Sequence, residues 1–139
     1  MPTIRPAEAS DGKSLFALAS AFATSFSVER AAFETSLASL LQSRDACISV
    51  ATDGGQLVGY ILGFAHETFY ANGRVAWVEE IMVSETFRRR GIGRQLMESF
   101  EQWAKQRQSK LIGLATRRAA PFYQSLGYDE SATYFRKLL

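Results

Sequence analysis

The sequence predicts a mixed α/β domain: one central sheet, mostly antiparallel with a single parallel strand pair, and helices on both faces. Three observations carry that reading. Residues 46–65 hold two apolar runs separated by Asp53-Gly54-Gly55, the signature of an antiparallel hairpin. Residues 75–83 (VAWVEEIMV) are apolar at every position except two adjacent glutamates, as in a strand covered on both faces. A long amphipathic helix then separates that strand from another apolar run at 110–115. Two strands with a whole helix between them cannot form a hairpin, so they pair in parallel.

The elements follow in order. Residues 3–5 form a short edge strand closed by Pro6. Ser10 or Asp11 can cap a first helix reaching to about residue 26, with Leu15, Phe16, Leu18, Ala19 and Phe22 on its apolar face. A second helix over residues 29–43 turns Phe33, Leu37, Leu40 and Leu41 inward. The hairpin strands are 46–52 and 56–65, and the polar and aromatic stretch 66–73 reads as a loop or a second turn. In the central strand, Val75, Trp77, Ile81 and Val83 alternate with Ala76, Val78 and Met82. In the long helix, Ile92, Leu96, Phe100, Trp103 and Ala104 share one face, while Gln95, Glu98, Glu101, Gln102 and Lys105 take the other. After the strand at 110–115 comes a short helix at 121–126, with Pro121 in its first turn and Gly127 at its end. Residues 131–138 (SATYFRKL) read as a closing strand.

Composition narrows the function classes. The 139 residues are expected to form one domain, and 47% apolar with 22% charged is ordinary for a globular protein. Sixteen basic against fourteen acidic residues give +2, too little for a nucleic-acid surface over the whole molecule. A single cysteine, Cys47, leaves no internal disulfide and no multi-cysteine metal site, and its expected role is core packing. The N-terminal residues carry no long apolar run, and no segment is long enough to span a membrane. The expected setting is the cytoplasm, with no membrane partner.

The chemistry concentrates at Arg88-Arg89-Arg90-Gly91-Ile92-Gly93-Arg94, between the central strand and the long helix. A helix start leaves its first N–H groups unpaired and carries partial positive charge. Glycines there admit a ligand close to the backbone, and arginines add full charge. Together these suit a phosphate or pyrophosphate. The alternative of a solvated charge run fits the flanking glycines less well. Nucleic-acid binding through the same run fits poorly, because the run is short and lacks interleaved exposed aromatics.

Arg88-x-x-Gly91-x-Gly93, directly after a strand and opening a helix, resembles the acetyl-coenzyme A loop of the GCN5-related N-acetyltransferases (GNAT). About thirty residues on, Phe122-Tyr123-Gln124-Ser125-Leu126-Gly127-Tyr128 resembles that family's F-Y-x-x-L-G-F/Y motif. The order of elements fits over essentially the whole chain. The resemblance implies the acyl-CoA N-acyltransferase fold, acetyl-CoA as donor and a primary amine as acceptor, attacked directly through a tetrahedral intermediate. It further implies a sheet splayed between the fourth and fifth strands. The pantetheine arm would then lie against the backbone of Ile81, Met82 and Val83, and the pyrophosphate at residues Arg88, Arg89, Arg90, Gly91, Ile92, Gly93 and Arg94. Tyr123 falls where the family places its general acid, the other reading being an aromatic core residue. One departure is Thr116, where many members carry asparagine. Members of the family often dimerise, and the closing strand could pair across a homodimer.

Acyl transfer to an amine needs a base for the ammonium, a donor for the oxyanion and a proton or hydrogen bond for the departing thiolate. Glu80 and then Glu79 are the candidate bases, since a carboxylate on a central strand is desolvated. Strand alternation puts their side chains on opposite faces, so at most one is expected to face the acceptor. The other reading makes both of them structural ion-pair members. A backbone N–H near Met82 or Val83 is a natural oxyanion donor. Arg117-Arg118 reads as a solvated loop by default, with substrate or phosphate contact as the lesser alternative. His66 is a lone loop histidine near the acceptor side, and Phe69, Tyr70 and Trp77 are candidates for lining an acceptor pocket, although core packing accounts equally for Trp77. The acceptor could be a small amine or a peptide amine. A non-catalytic CoA-binding sensor or interaction module is the functional alternative. No metal is called for.

Overall fold

Gly54-Gly55 forms the two-residue turn that folds β2 (Ala46–Asp53) onto β3 (Gln56–Thr68), with Asp53 opposite Gln56. This hairpin sits at the centre of a five-stranded sheet in the order β1-β2-β3-β4-β5. The structure is a computed structural model and describes residues 1–23 and 25–139. Strand β1 (Thr3–Pro6) pairs antiparallel with β2, and β4 (Gly73–Val83) pairs antiparallel with β3. Strand β5 (Ser109–Leu114) pairs parallel with β4, as the intervening helix requires.

Alternation along the strands feeds two cores. Ala51, Val58 and Ile61 face α3 (Ile92–Gln106), whose Ile92, Leu96, Met97, Phe100 and Ala104 are all buried. Val50 and Tyr60 face α1 (Gly12–Phe22) and α2 (Arg30–Gln42), against Leu15 and Leu37. A short helix, α4 (Ala120–Ser125), closes the α3 side with Tyr123 buried, and Tyr128 Oη donates to Glu101 Oε2 at 2.8 Å to hold its end. Among the described residues no helix is long and apolar enough to cross a membrane.

Several expectations need correction. Helix α1 ends at Phe22, and Ala23 is already extended. Part of the expected extension, Thr24, lies outside the described residues. Ser25 and Ser27 beyond it have side chains that compete for backbone hydrogen bonds and favour helix ends. Asp11 precedes α1 but makes no cap bond to it; its carboxylate instead takes Arg5 and the Glu8 N–H. Leu41 is exposed on α2. Residues 66–68 continue β3, because Val75, Arg74 and Gly73 opposite them supply a full ladder. Residues 131–138 form no strand: from 129 to 139 the chain is exposed and without regular structure. A strand needs a neighbour for its backbone groups, and among the described residues the sheet ends at β5.

Candidate active site

The parallel pair is short. Strand β4 meets β5 at Arg74, Ala76, Trp77 and Val78, opposite Ser109, Ile112, Gly113 and Leu114, and there the pairing stops. Beyond it, Glu80 to Val83 remain paired with β3 alone, opposite Leu62, Ile61, Tyr60 and Gly59. The sheet therefore splays at its carboxyl end, and the side of β4 away from β3 is left without a ladder from residue 79 onward. Such an edge presents backbone donors and acceptors to an extended ligand.

A bulge at the start of the splay resets the face of every residue that follows. Val78 lies opposite Gly63 and Glu80 opposite Leu62, so Glu79 is the extra residue. In consequence Ile81 and Val83 join Ala76 and Val78 on the α3 side, while Met82 packs with Tyr60 on the α1/α2 side. The simple alternation expected from the sequence is broken here. Glu79 is exposed and Glu80 half-buried, and both line one cleft, against the expectation that at most one would. Among the described residues neither forms an ion pair.

That cleft, about 1240 Å³, lies between the α1–α2 connection and the open end of β4 and β5. Glu80 is held in it by Tyr60, whose hydroxyl donates to Oε1 at 2.6 Å. Tyr60 is 3% exposed, and burial, then the Glu80 charge, push its phenol far above the ordinary tyrosine range. It stays protonated and donating. Sequence reasoning missed Tyr60, since the contact spans twenty positions and depends on the bulge. Tyr123 also lines the cleft, its ring edge-on to Phe122 and Tyr128 with centroids 5.0 and 6.2 Å away. Its hydroxyl has no hydrogen-bond partner among the described residues and is not sealed in the core. Burial raises its pKa.

The basic loop sits at the other end of the splayed edge. After a 3-10 turn at Glu85–Phe87, Arg89 (φ 65°) and Gly91 (φ 81°) turn the backbone left-handed, and α3 begins. Nothing lies within 4 Å of where a Gly91 side chain would project, so the N-terminal end of α3 is open. Its first three N–H groups, at Ile92, Gly93 and Arg94, have no acceptor within the helix. The four arginines of the loop are exposed and unpaired among the described residues. Arg88 folds back so that Nε donates to Val83 O at 3.1 Å, which engages one acceptor of the splayed strand, and Arg90 stacks over Phe87. Ile92 is core rather than surface, and Gly93 lets Phe122 of α4 pack close, with a Cβ there 3.3 Å from its ring.

The remaining candidates separate. Thr116 braces the turn into α4, accepting the Ala119 N–H at 3.1 Å. Arg117 and Arg118, read by default as a solvated loop, line the cleft. His66 is on a strand, exposed, and absent from the cleft. Phe69 and Tyr70 are exposed at the β3–β4 turn, and Trp77 packs against Gly113; none lines the cleft.

A five-stranded mixed sheet, antiparallel but for the β4–β5 pair and covered by helices, is the acyl-CoA N-acyltransferase fold. The chain belongs to the acetyltransferase (GNAT) family, whose model matches residues 14–128. No curated protein matches its sequence. Solved structures match over nearly their full length. A transcriptional regulator from Bacillus halodurans C-125 is 22% identical with a TM-score of 0.89, covering 100% of each chain. The glucosamine-6-phosphate N-acetyltransferase of Arabidopsis thaliana is 19% identical, TM-score 0.89, over 99% of this chain and 98% of its own. An aminoglycoside N-acetyltransferase in complex with CoA is 19% identical, TM-score 0.86, over 99% and 95%. Names this diverse on one fold show that the fold does not choose the acceptor.

Proposed function

We propose that the protein is an N-acetyltransferase that moves the acetyl group of acetyl-CoA to a primary amine. The observation that supports this best is continuity: one unpaired strand edge runs from the open, arginine-rich start of α3 to a cleft holding Glu80 and Tyr123. A pyrophosphate suits the first three N–H groups of α3 with the Arg88–Arg94 side chains around them, and the amides of a pantetheine arm suit the edge without a ladder at Ile81, Met82 and Val83, where Arg88 holds the Val83 carbonyl. The CoA carried by the aminoglycoside relative agrees with that assignment of the donor.

In this reading acetyl-CoA supplies an activated acyl carbon. The ammonium of the acceptor gives a proton to Glu80, whose carboxylate Tyr60 holds in place from below. The freed nitrogen forms a C–N bond at the acyl carbon, and a backbone N–H near Met82 or Val83 donates to the oxyanion. As the C–S bond breaks, the second proton of the former ammonium passes from the new amide nitrogen to the departing thiolate, to which Tyr123 donates a hydrogen bond. Its raised pKa makes Tyr123 a donor that holds its proton as the thiolate develops.

Calorimetric titration with acetyl-CoA tests the assignment. The native chain should bind, and Gly91→Glu should lose at least about tenfold in affinity, because a carboxylate would occupy the open anion site in a strained left-handed position. Tyr123→Phe should bind acetyl-CoA normally yet release CoA thiol to amines about a hundredfold more slowly. A folded native chain that fails to bind acetyl-CoA rules the reading out. Binding without thiol release to any amine would instead favour the non-catalytic CoA-binding module.

A further inference from the structure

The cleft carries both signs of charge and does not neutralise them internally. Glu29 at the start of α2, with Glu79 and Glu80 on β4, contributes three carboxylates. Arg117 and Arg118 on the β5–α4 loop, with Arg136 from the C-terminal segment, contribute three guanidinium groups. Charged side chains that line one cavity can be neutralised by one another or by a ligand. Here, among the described residues, none of the six belongs to an ion pair, and the only side-chain hydrogen bond to any of them comes from Tyr60. Glu80 is half-buried and the other five are exposed, so the acidic and the basic lining each present unspent charge to the cleft.

A ligand complementary to both linings carries both charges itself. Building on the N-acetyltransferase reading, we propose that the acceptor is a small primary amine that also bears an anionic group, a carboxylate or a phosphate. Its ammonium meets Glu79 and Glu80, close to Tyr123, and its anion meets Arg117, Arg118 and Arg136. Guanidinium groups suit both anions because their N–H forks match paired oxygens. The donor's phosphates do not account for these arginines. No residue from Arg88 to Arg94 lines the cleft, so the phosphate loop and the arginine lining are separate surfaces. A polyamine does not fit either, since three guanidinium groups would repel its second cation.

Matched amines decide the matter, with binding to the protein–CoA complex measured by calorimetry and thiol release measured with acetyl-CoA. The probes are butylamine against 4-aminobutyrate, ethanolamine against O-phosphoethanolamine, and putrescine. The anionic member of at least one pair should exceed its neutral partner about tenfold or more in affinity and in kcat/KM. Which pair shows the preference separates carboxylate from phosphate. An Arg117→Gln/Arg118→Gln double variant, checked for its fold by circular dichroism, should erase the preference and leave the KM for acetyl-CoA unchanged. Neutral amines or putrescine binding as well as the anionic probes would overturn the proposal. So would a double variant that keeps the preference but raises the KM for acetyl-CoA, which would assign the arginines to the donor. Anionic amines that bind without any thiol release would uphold this pocket chemistry while refuting the transfer reaction.

Discussion

Glu80 owes its place to a residue that no motif marks. Tyr60 lies under it on β3, buried and protonated, donating at 2.6 Å. A hydrogen bond from a fixed donor stabilises the charged form of a carboxylate and holds one rotamer. Tyr60→Phe keeps the ring packing with Met82 but removes the donor. With the carboxylate no longer held in one rotamer, kcat/KM is expected to fall about tenfold, with the affinity for acetyl-CoA unchanged. An unchanged kcat/KM would mean that Glu80 is not the base. The motif tyrosine, Tyr123, was legible because a sequence pattern named it. Tyr60 was not, because its role depends on which residue of β4 lands opposite it.

At the scale of elements, α3 packs close against the sheet. Gly63 is the contact point. A Cβ there would collide with the Phe100 ring and lie 2.7 Å from Trp77 O, a backbone atom that cannot rotate away. Gly63 also sits at the register shift that makes Glu79 the extra residue. Gly63→Ala should cost about 1–3 kcal/mol of stability by overpacking, read as a lower urea midpoint with the slope unchanged. It should also weaken catalysis, since pushing α3 or β4 aside disturbs the bulge. The helix α3 itself was plain from its periodicity, and so was the two-residue turn of the hairpin. The bulge was not, since two adjacent glutamates in an apolar run fit an unbulged strand with one on each face as readily as a bulged one.

For the molecule as a whole, the helix layer that roofs the cleft is tied to the sheet edge by one ion pair. Arg5 on β1 grips Asp11 through two bonds, at 2.8 and 2.9 Å, and Asp11 also accepts the Glu8 N–H at 2.8 Å. The Arg5 hydrogen bond, more than the burial that opposes it, holds the Asp11 carboxyl below its usual range. A carboxyl depressed in the folded state stabilises the fold fully above its unfolded pKa, about 3.9, and that contribution is lost as the pH falls through the folded value. Asp11→Asn should therefore cost about 1–3 kcal/mol near neutral pH and little at pH 2, compared by urea unfolding of both proteins at each pH. An equal cost at both pH values would mean that the pair's charge is immaterial. At this scale the closing strand was misread. Residues 131–138 have strand-like composition, but a strand also needs an adjacent edge, which composition cannot supply.

By itself the sequence determined what depends on neighbours along the chain. The periods of α2 and α3, the Gly54-Gly55 turn, the parallel pairing forced by an intervening helix, and the glycine-arginine helix start are all local patterns with one favoured geometry. Only the tertiary structure decided the register of β4 on β3. That register placed the bulge at Glu79, brought Tyr60 to Glu80 and set both glutamates in the lining of the cleft that Arg117, Arg118 and Arg136 also line. The physical reason is that side chains in a sheet change face with every residue, so one inserted residue reverses everything after it. Where such an insertion falls is settled by packing across strands far apart in the chain.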